Sequence, residues 1–240
     1  MARAFRQELR GAAEPIWRAI FAHPFVREVG AGALAREKFG FFIRQDFLYL
    51  REFTRVLCLG GAKASDLDTQ DLFARHAHNT VLVERAMHQT FARRLGLTAR
   101  ALEATEPAPA TVAYTRHLLA VAAAGSLGEL VAAVLPCYWV YREVGRRLKR
   151  RLPREPLYAR WIRAYASAQY GRLVQEQLGL ADRLGRAAGE AERARMREHF
   201  VTSSRYEYLF WDQAWKPEGW PSERSERQRG GAPMGSAVRP

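Results

Sequence analysis

The chain is poor in cysteine, in acidic residues and in long apolar runs. Only two cysteines, Cys58 and Cys137, occur in 240 residues. That excludes a disulfide scaffold or a cysteine-based zinc site, and it suits the reducing cytoplasm. The longest apolar run, Leu130 to Tyr141, has 12 residues and contains Pro136. A membrane-spanning helix needs about 20, so no integral membrane protein is expected. The start, MARAFRQELRG, lacks the apolar core and cleavage site of a secretory leader. No β-hairpin pattern and no internal repeat is readable. Hydrophobic residues make up 48% and charged residues 26%, which fits a folded globular chain rather than a disordered one.

The shortage of acids leaves a net charge of +13, from 38 Lys and Arg against 25 Asp and Glu. Nucleic-acid binding is the first explanation to consider. The distribution argues against it. From Pro217 onward, Arg224, Arg227, Arg229 and Arg239 face Glu218, Glu223 and Glu226, a net of only +1. The dense run Arg146 to Arg151 falls at an expected helix end, where cations favour the helix dipole. Solvated arginine faces account for the excess, and no specific nucleic-acid partner is expected.

What is present is helical periodicity. The pattern predicts helices over Phe5–Ala22, Arg36–Ala64, Asp68–Leu95, Ala110–Ala124, Leu127–Arg151, Leu157–Leu178 and Glu190–Trp215. Pro15 is expected to bend the first. Val26–Ala33 reads as irregular, and residues 98–107 as a connection. Ser126 with Glu129 reads as a capping box. Long helices and short loops predict a single all-α bundle over residues 1–216. Residues 217–240, with eight Gly or Pro in 24, read as a flexible polar tail. The segment Gly30-Ala31-Gly32-Ala33-Leu34-Ala35 fits G-x-G-x-x-A, but no strand precedes it, so no dinucleotide site is expected.

Three side chains could carry chemistry. Asp46 shares a helix face with Tyr49 among Phe42, Phe47, Leu50 and Phe53. It is either an exposed partner of Arg44 or Arg51, or a buried acid that needs a purpose. Cys137 follows Pro136, which removes a backbone hydrogen bond and favours a kink. A free cysteine is usually a small buried hydrophobe, as expected for Cys58, but a kinked aromatic setting can open a pocket around a thiol. Glu207 lies among Tyr206, Tyr208, Phe210 and Trp211. Such surroundings raise a carboxyl pKa and suit a general acid, unless Arg205 holds it. A di-iron bundle would require Glu-x-x-His, and no Glu has a His three residues later. Glu84 and His88 are four apart, so no metal site is assigned.

Taken together, the segments resemble the TenA-type thiaminase II family. The matching pieces are Trp17 with His23-Pro24-Phe25, Gly32-Ala33-Leu34 leading to Phe39, Gln45-Asp46-Phe47-Leu48-Tyr49-Leu50 and Ala62-Lys63-Ala64. They continue with Glu84 and His88 before Leu95-Gly96-Leu97, Tyr114, Pro136-Cys137-Tyr138-Trp139-Val140-Tyr141, Trp161-Ile162 with Tyr165, and Glu207 before Phe210-Trp211. The resemblance implies the haem-oxygenase-like helical fold and an aminopyrimidine aminohydrolase of the cysteine-bearing class. It implies Cys137 as nucleophile, Glu207 as general acid and Asp46 as the acid binding the aminopyrimidine edge. Tyr49, Tyr114, Tyr141 and Tyr165 correspond to the pocket tyrosines. The implied reaction converts 4-amino-5-aminomethyl-2-methylpyrimidine to its 5-hydroxymethyl product and ammonia, in thiamine salvage, with thiamine cleavage as a second activity. It requires no cofactor, and the implied assembly is a homotetramer. Two rivals stand beside it: an oxidase on the same scaffold, and a basic nucleic-acid-binding or regulatory protein.

Overall fold

The 12-residue apolar run lies at the centre of the molecule, and the other helices are arranged around it. The computed structural model describes residues 4–87 and 91–221, without the side chains of residues 84, 85 and 87. The chain begins with α1 (Phe5–Ala12), α2 (Glu14–Ala22), α3 (Pro24–Ala31), α4 (Arg36–Lys63) and α5 (Leu67–Met87). It continues with α6 (Ala99–Glu103), α7 (Pro109–Ala124), α8 (Leu127–Lys149), α9 (Pro156–Tyr165), α10 (Ala168–Ala187) and α11 (Glu190–Trp215). No described residue is in a strand. The expected all-α bundle is the observed one.

Helix α8 is buried without interruption from Gly128 to Pro136. A helix apolar on every side must be surrounded, and α7, α9, α10 and α11 all pack on it. Helix α4 forms the second axis, packed against α5, α7 and α11. Stacked and edge-on aromatic rings join α4 to its neighbours: Phe42 of α4 lies parallel to Trp211 of α11 at 5.3 Å and edge-on to Trp161 of α9 at 6.1 Å. No described helix is long and apolar enough to cross a membrane.

Local chemistry moved several expected boundaries. Phe5–Ala22 is two helices rather than one bent helix, broken at Ala13. Pro15 lies in the first turn of α2, where its missing N–H is not needed. Residues 26–33 are largely helical, not irregular. Pro24 begins α3, the Phe25 N–H donates to His23 Nδ1 at 3.2 Å, and Phe25, Val26 and Val29 are buried. Gly32 then ends the helix at φ +75°, a conformation that favours glycine. The next helix begins at Leu67 rather than Asp68, capped by Asp66, which accepts from the Thr69 N–H at 2.8 Å. The connection at 98–107 contains the short helix α6, capped by Thr98.

Leu157–Leu178 is also two elements. The Ser167 side chain accepts from the Tyr170 N–H and starts α10 afresh. At Ser126 only half the expected capping box forms. Ser126 accepts from the Glu129 N–H at 3.2 Å, while the Glu129 carboxylate accepts from Arg195. The helix runs on through Pro136. Gly30 closes the body of α3, so the G-x-G-x-x-A segment follows no strand. Of the expected tail, Trp220 donates its indole N–H to the Pro107 carbonyl at 3.1 Å. Residues 222–240, and His88 in the N-terminal half of the chain, lie outside the described residues.

Candidate active site

Helices α4, α5, α8, α9 and α10 meet around a small cavity of about 60 Å³. Asp46 comes from α4, Cys137, Tyr138 and Tyr141 from α8, and Tyr165 from α9. Helix α5 adds Asn79, Thr80 and Val83, and α10 adds Tyr170 and Leu173. Behind this lining, Tyr114 of α7 donates its hydroxyl hydrogen to Glu207 Oε1 of α11 at 2.8 Å. The rings form two groups: Tyr49 with Tyr114 at 5.0 Å, and a row in which Tyr141 meets Tyr165 at 4.8 Å and Tyr165 meets Tyr170 at 5.1 Å. All seven residues expected from the sequence therefore gather in one region, although they come from five helices.

The electrostatics of this region are unusual for so basic a chain. Asp46 is 4% exposed and Glu207 1% exposed, and among the described residues neither has an ion pair. Arg44, Arg51 and Arg205 are not their partners. Burial pushes Asp46 up to about 7. Burial, and then repulsion from Asp46, push Glu207 up to about 8, against the opposing effect of the Tyr114 hydrogen bond. Burial comes first for Cys137 too, with Glu207 and Asp46 adding to it, so its thiol is held neutral well above the ordinary range. The Tyr49 hydroxyl has no hydrogen bond of standard geometry, yet it lies close enough to Cys137 and Tyr114 to act on both. Asp46 Oδ2 is likewise buried without a partner. Two orphaned polar atoms beside a thiol fit a polar ligand that completes them.

Cys58 contradicts its expectation. It is exposed on α4 beside Leu59, itself 39% exposed, and is not a buried hydrophobe. Tyr138, Tyr170 and the α5 contributions were missed. Tyr170 reaches the site only because Ser167 restarts the chain as α10, and its hydroxyl donates to the carbonyls of Cys137 and Tyr138 at 3.3 and 3.1 Å. Among the described residues no group of three or more His, Cys, Asp or Glu side chains could hold a metal ion. A larger cleft of about 380 Å³ lies between α4, α6 and residues 217–220, but it contains neither Cys137 nor the carboxyl pair.

A helical bundle with a cysteine and two unpaired carboxyls in its interior defines a class before any name is attached. Its fold is that of a solved domain of unknown function from Shewanella denitrificans, described as having a heme oxygenase-like fold. The TM-score is 0.72 at 17% identity, over 97% of this chain and 98% of that one. The chain belongs to the TENA/THI-4/PQQC family, which it matches over residues 10–216. It is 42% identical over 220 residues to the aminopyrimidine aminohydrolase of Halalkalibacterium halodurans, covering 90% of this chain and 98% of that protein. A solved TenA homologue from P. horikoshii superposes with a TM-score of 0.83 at 33% identity, over 89% of this chain and 99% of that one.

Proposed function

We propose that this protein is an aminopyrimidine aminohydrolase in which Cys137 is the nucleophile, Glu207 the general acid and Asp46 the group that holds the amino edge of the ring. The observation that carries the reading is the placement of one thiol and two cation-free carboxyls together in the interior, beside unpartnered polar atoms. The identity to a named aminohydrolase supports the same reaction class over the rival oxidase or nucleic-acid binder.

The chemistry follows from the protonation states. With Glu207 at about 8, most of it carries its proton at neutral pH and can give it to a ring nitrogen. The protonated ring accepts Cys137 Sγ, which breaks aromaticity and lets ammonia depart from the 5-methylene. Water adds to that carbon, and the thiol leaves as aromaticity returns. One difficult substitution thus becomes a series of easier steps. Asp46, at about 7, can ionise on binding and accept from the 4-amino group. Tyr141 and Tyr165 supply ring faces, while Tyr49 and Tyr114 connect Cys137 to Glu207. The substrate is 4-amino-5-aminomethyl-2-methylpyrimidine, the product its 5-hydroxymethyl analogue, and thiamine a second substrate, in thiamine salvage.

The assembly is a homotetramer, as the family resemblance implies, and the exposed Leu67, Leu82 and Val83 of α5 offer apolar surface for it. Two free cysteines suit a cytoplasmic location. The bundle of 1–216 forms the catalytic domain, and residues 217–240 serve as a polar extension. The test of function is ammonia release from the aminomethylpyrimidine, measured beside thiamine cleavage. Turnover of the first supports the reading, and inactivity on both rejects it.

A further inference from the structure

The neutral thiol leaves a proton unaccounted for. As the Sγ–C bond forms, the S–H proton needs an acceptor, and Tyr49 and Tyr114 lead only to Glu207, which with Asp46 is engaged with the ring. A third group of polar side chains starts at the cavity wall and ends at the surface. The Tyr138 hydroxyl lies 3.0 Å from His76 Nδ1, and His76 Nε2 lies 2.8 Å from Glu176 Oε2. His76 is 1% exposed, whereas the Glu176 side chain is 36% exposed.

The hydrogens in this chain can be assigned. A carboxylate opposite Nε2 places the imidazole proton there. Nδ1 is then the acceptor, and it receives from Tyr138 and from the Gln177 amide at 3.3 Å. Burial lowers the His76 pKa, so the ring rests neutral. The groups facing it are Tyr138 from α8, Glu176 and Gln177 from α10, and Arg75 from its own helix, which also donates to Glu176 and Asp71. Tyr138 lines the same cavity as Cys137.

We propose that Tyr138, His76 and Glu176 form a proton relay between Cys137 and solvent. When sulfur attacks, its proton passes to Tyr138 Oη as the hydroxyl hydrogen moves to His76 Nδ1 and the Nε2 hydrogen moves to Glu176. When sulfur leaves, the three hydrogens return and the starting tautomer is restored, so the relay carries no net proton over a turnover. None of the three residues needs to touch the reacting carbon. The relay rests on the proposed role of Cys137.

The test uses the full chain with E176Q, Y138F and the double variant. E176Q alters a half-exposed side chain and Y138F removes a single oxygen, so both should fold. In the ammonia assay each single variant should lower kcat about tenfold with KM unchanged, and should enlarge the solvent isotope effect on kcat. The double variant should lose no more than either single one, because each cuts the same path. Alkylation by iodoacetamide near pH 7 gives a readout free of substrate. Cys137 should react more slowly in E176Q and Y138F, while exposed Cys58 in the same molecule reacts as in wild type. Unchanged kcat, isotope effect and alkylation in both single variants would overturn the relay. So would losses that multiply in the double variant. An inactive wild type with the expected alkylation pattern would instead remove the proposed reaction and leave the relay standing.

Discussion

The acids of this protein occupy two contrasting environments. Along the seam between α1, α10 and α11 several buried or half-buried acids are paired with cations. Asp182 accepts from Arg6 Nε at 2.5 Å, Glu8 from Arg193 and Arg197, and Glu129, in the neighbouring α8, from Arg195. At and behind the cavity wall, Asp46 and Glu207 are as deeply buried and have none among the described residues. A chain with 13 more cations than acids does not lack arginines to supply. The difference shows where the fold favours stability and where it favours reactivity. A paired carboxylate is fixed as an anion, whereas an unpaired buried one keeps a proton that it can donate near neutral pH.

The largest expected effects test the reactive side of this contrast. Cys137→Ser should abolish ammonia release without unfolding the protein, and Cys58→Ser should retain it, both read by steady-state assay with a melting curve. Next is Glu207→Gln, which should lower kcat by about 10²–10⁴-fold, the usual contribution of a general acid. Asp46→Asn should instead weaken pyrimidine product binding, measured by calorimetry, with a smaller effect on kcat. In wild type, kcat/KM should rise as Asp46 ionises through about 7 and fall as Glu207 loses its proton through about 8, giving a narrow bell whose limbs belong to the coupled pair.

Stability should show the same contrast with the opposite sign. Asp46 and Glu207 hold protons in the fold that the unfolded chain has lost above about pH 4–5. The pH-dependent part of the cost of burying them is therefore absent in acid and grows, destabilising the fold, as pH rises to about 8. Glu207→Gln should leave Tm unchanged near pH 4 and raise it near pH 9, a trade of activity against stability. Asp182→Asn, which breaks a paired acid, should lower Tm near neutral pH. The smallest effect is expected for truncation after Trp220. That cut keeps the indole bond to Pro107 and should leave Tm and kcat/KM nearly unchanged. A tenfold loss of activity would show that the removed residues serve the site.

The helices were legible because an amphipathic period survives in one sequence, and α4, α7, α8 and α11 fall within about two residues of their expected limits. The breaks were harder to read. Ala13 and Ser167 interrupt continuous apolar patterns, and their effect depends on a proline in a first turn and on one side-chain cap. In the site, the resemblance pointed to Cys137, Asp46 and Glu207, but residue types alone could not decide whether Asp46 was paired at the surface. That depends on which face of α4 meets α8 and α9. His76 had no signal at all, since a histidine on a helix acquires its role only when α8 and α10 bring Tyr138 and Glu176 to its two nitrogens.

An unpaired interior carboxyl that stays protonated at neutral pH is the centre of this site. Difference infrared spectra of wild type against Glu207→Gln, recorded from pH 5 to 10, observe that proton directly. The expected result is a carboxylic-acid carbonyl band at pH 7 that is present only in wild type and disappears through about pH 8. A carboxylate band already complete at pH 6 would contradict it.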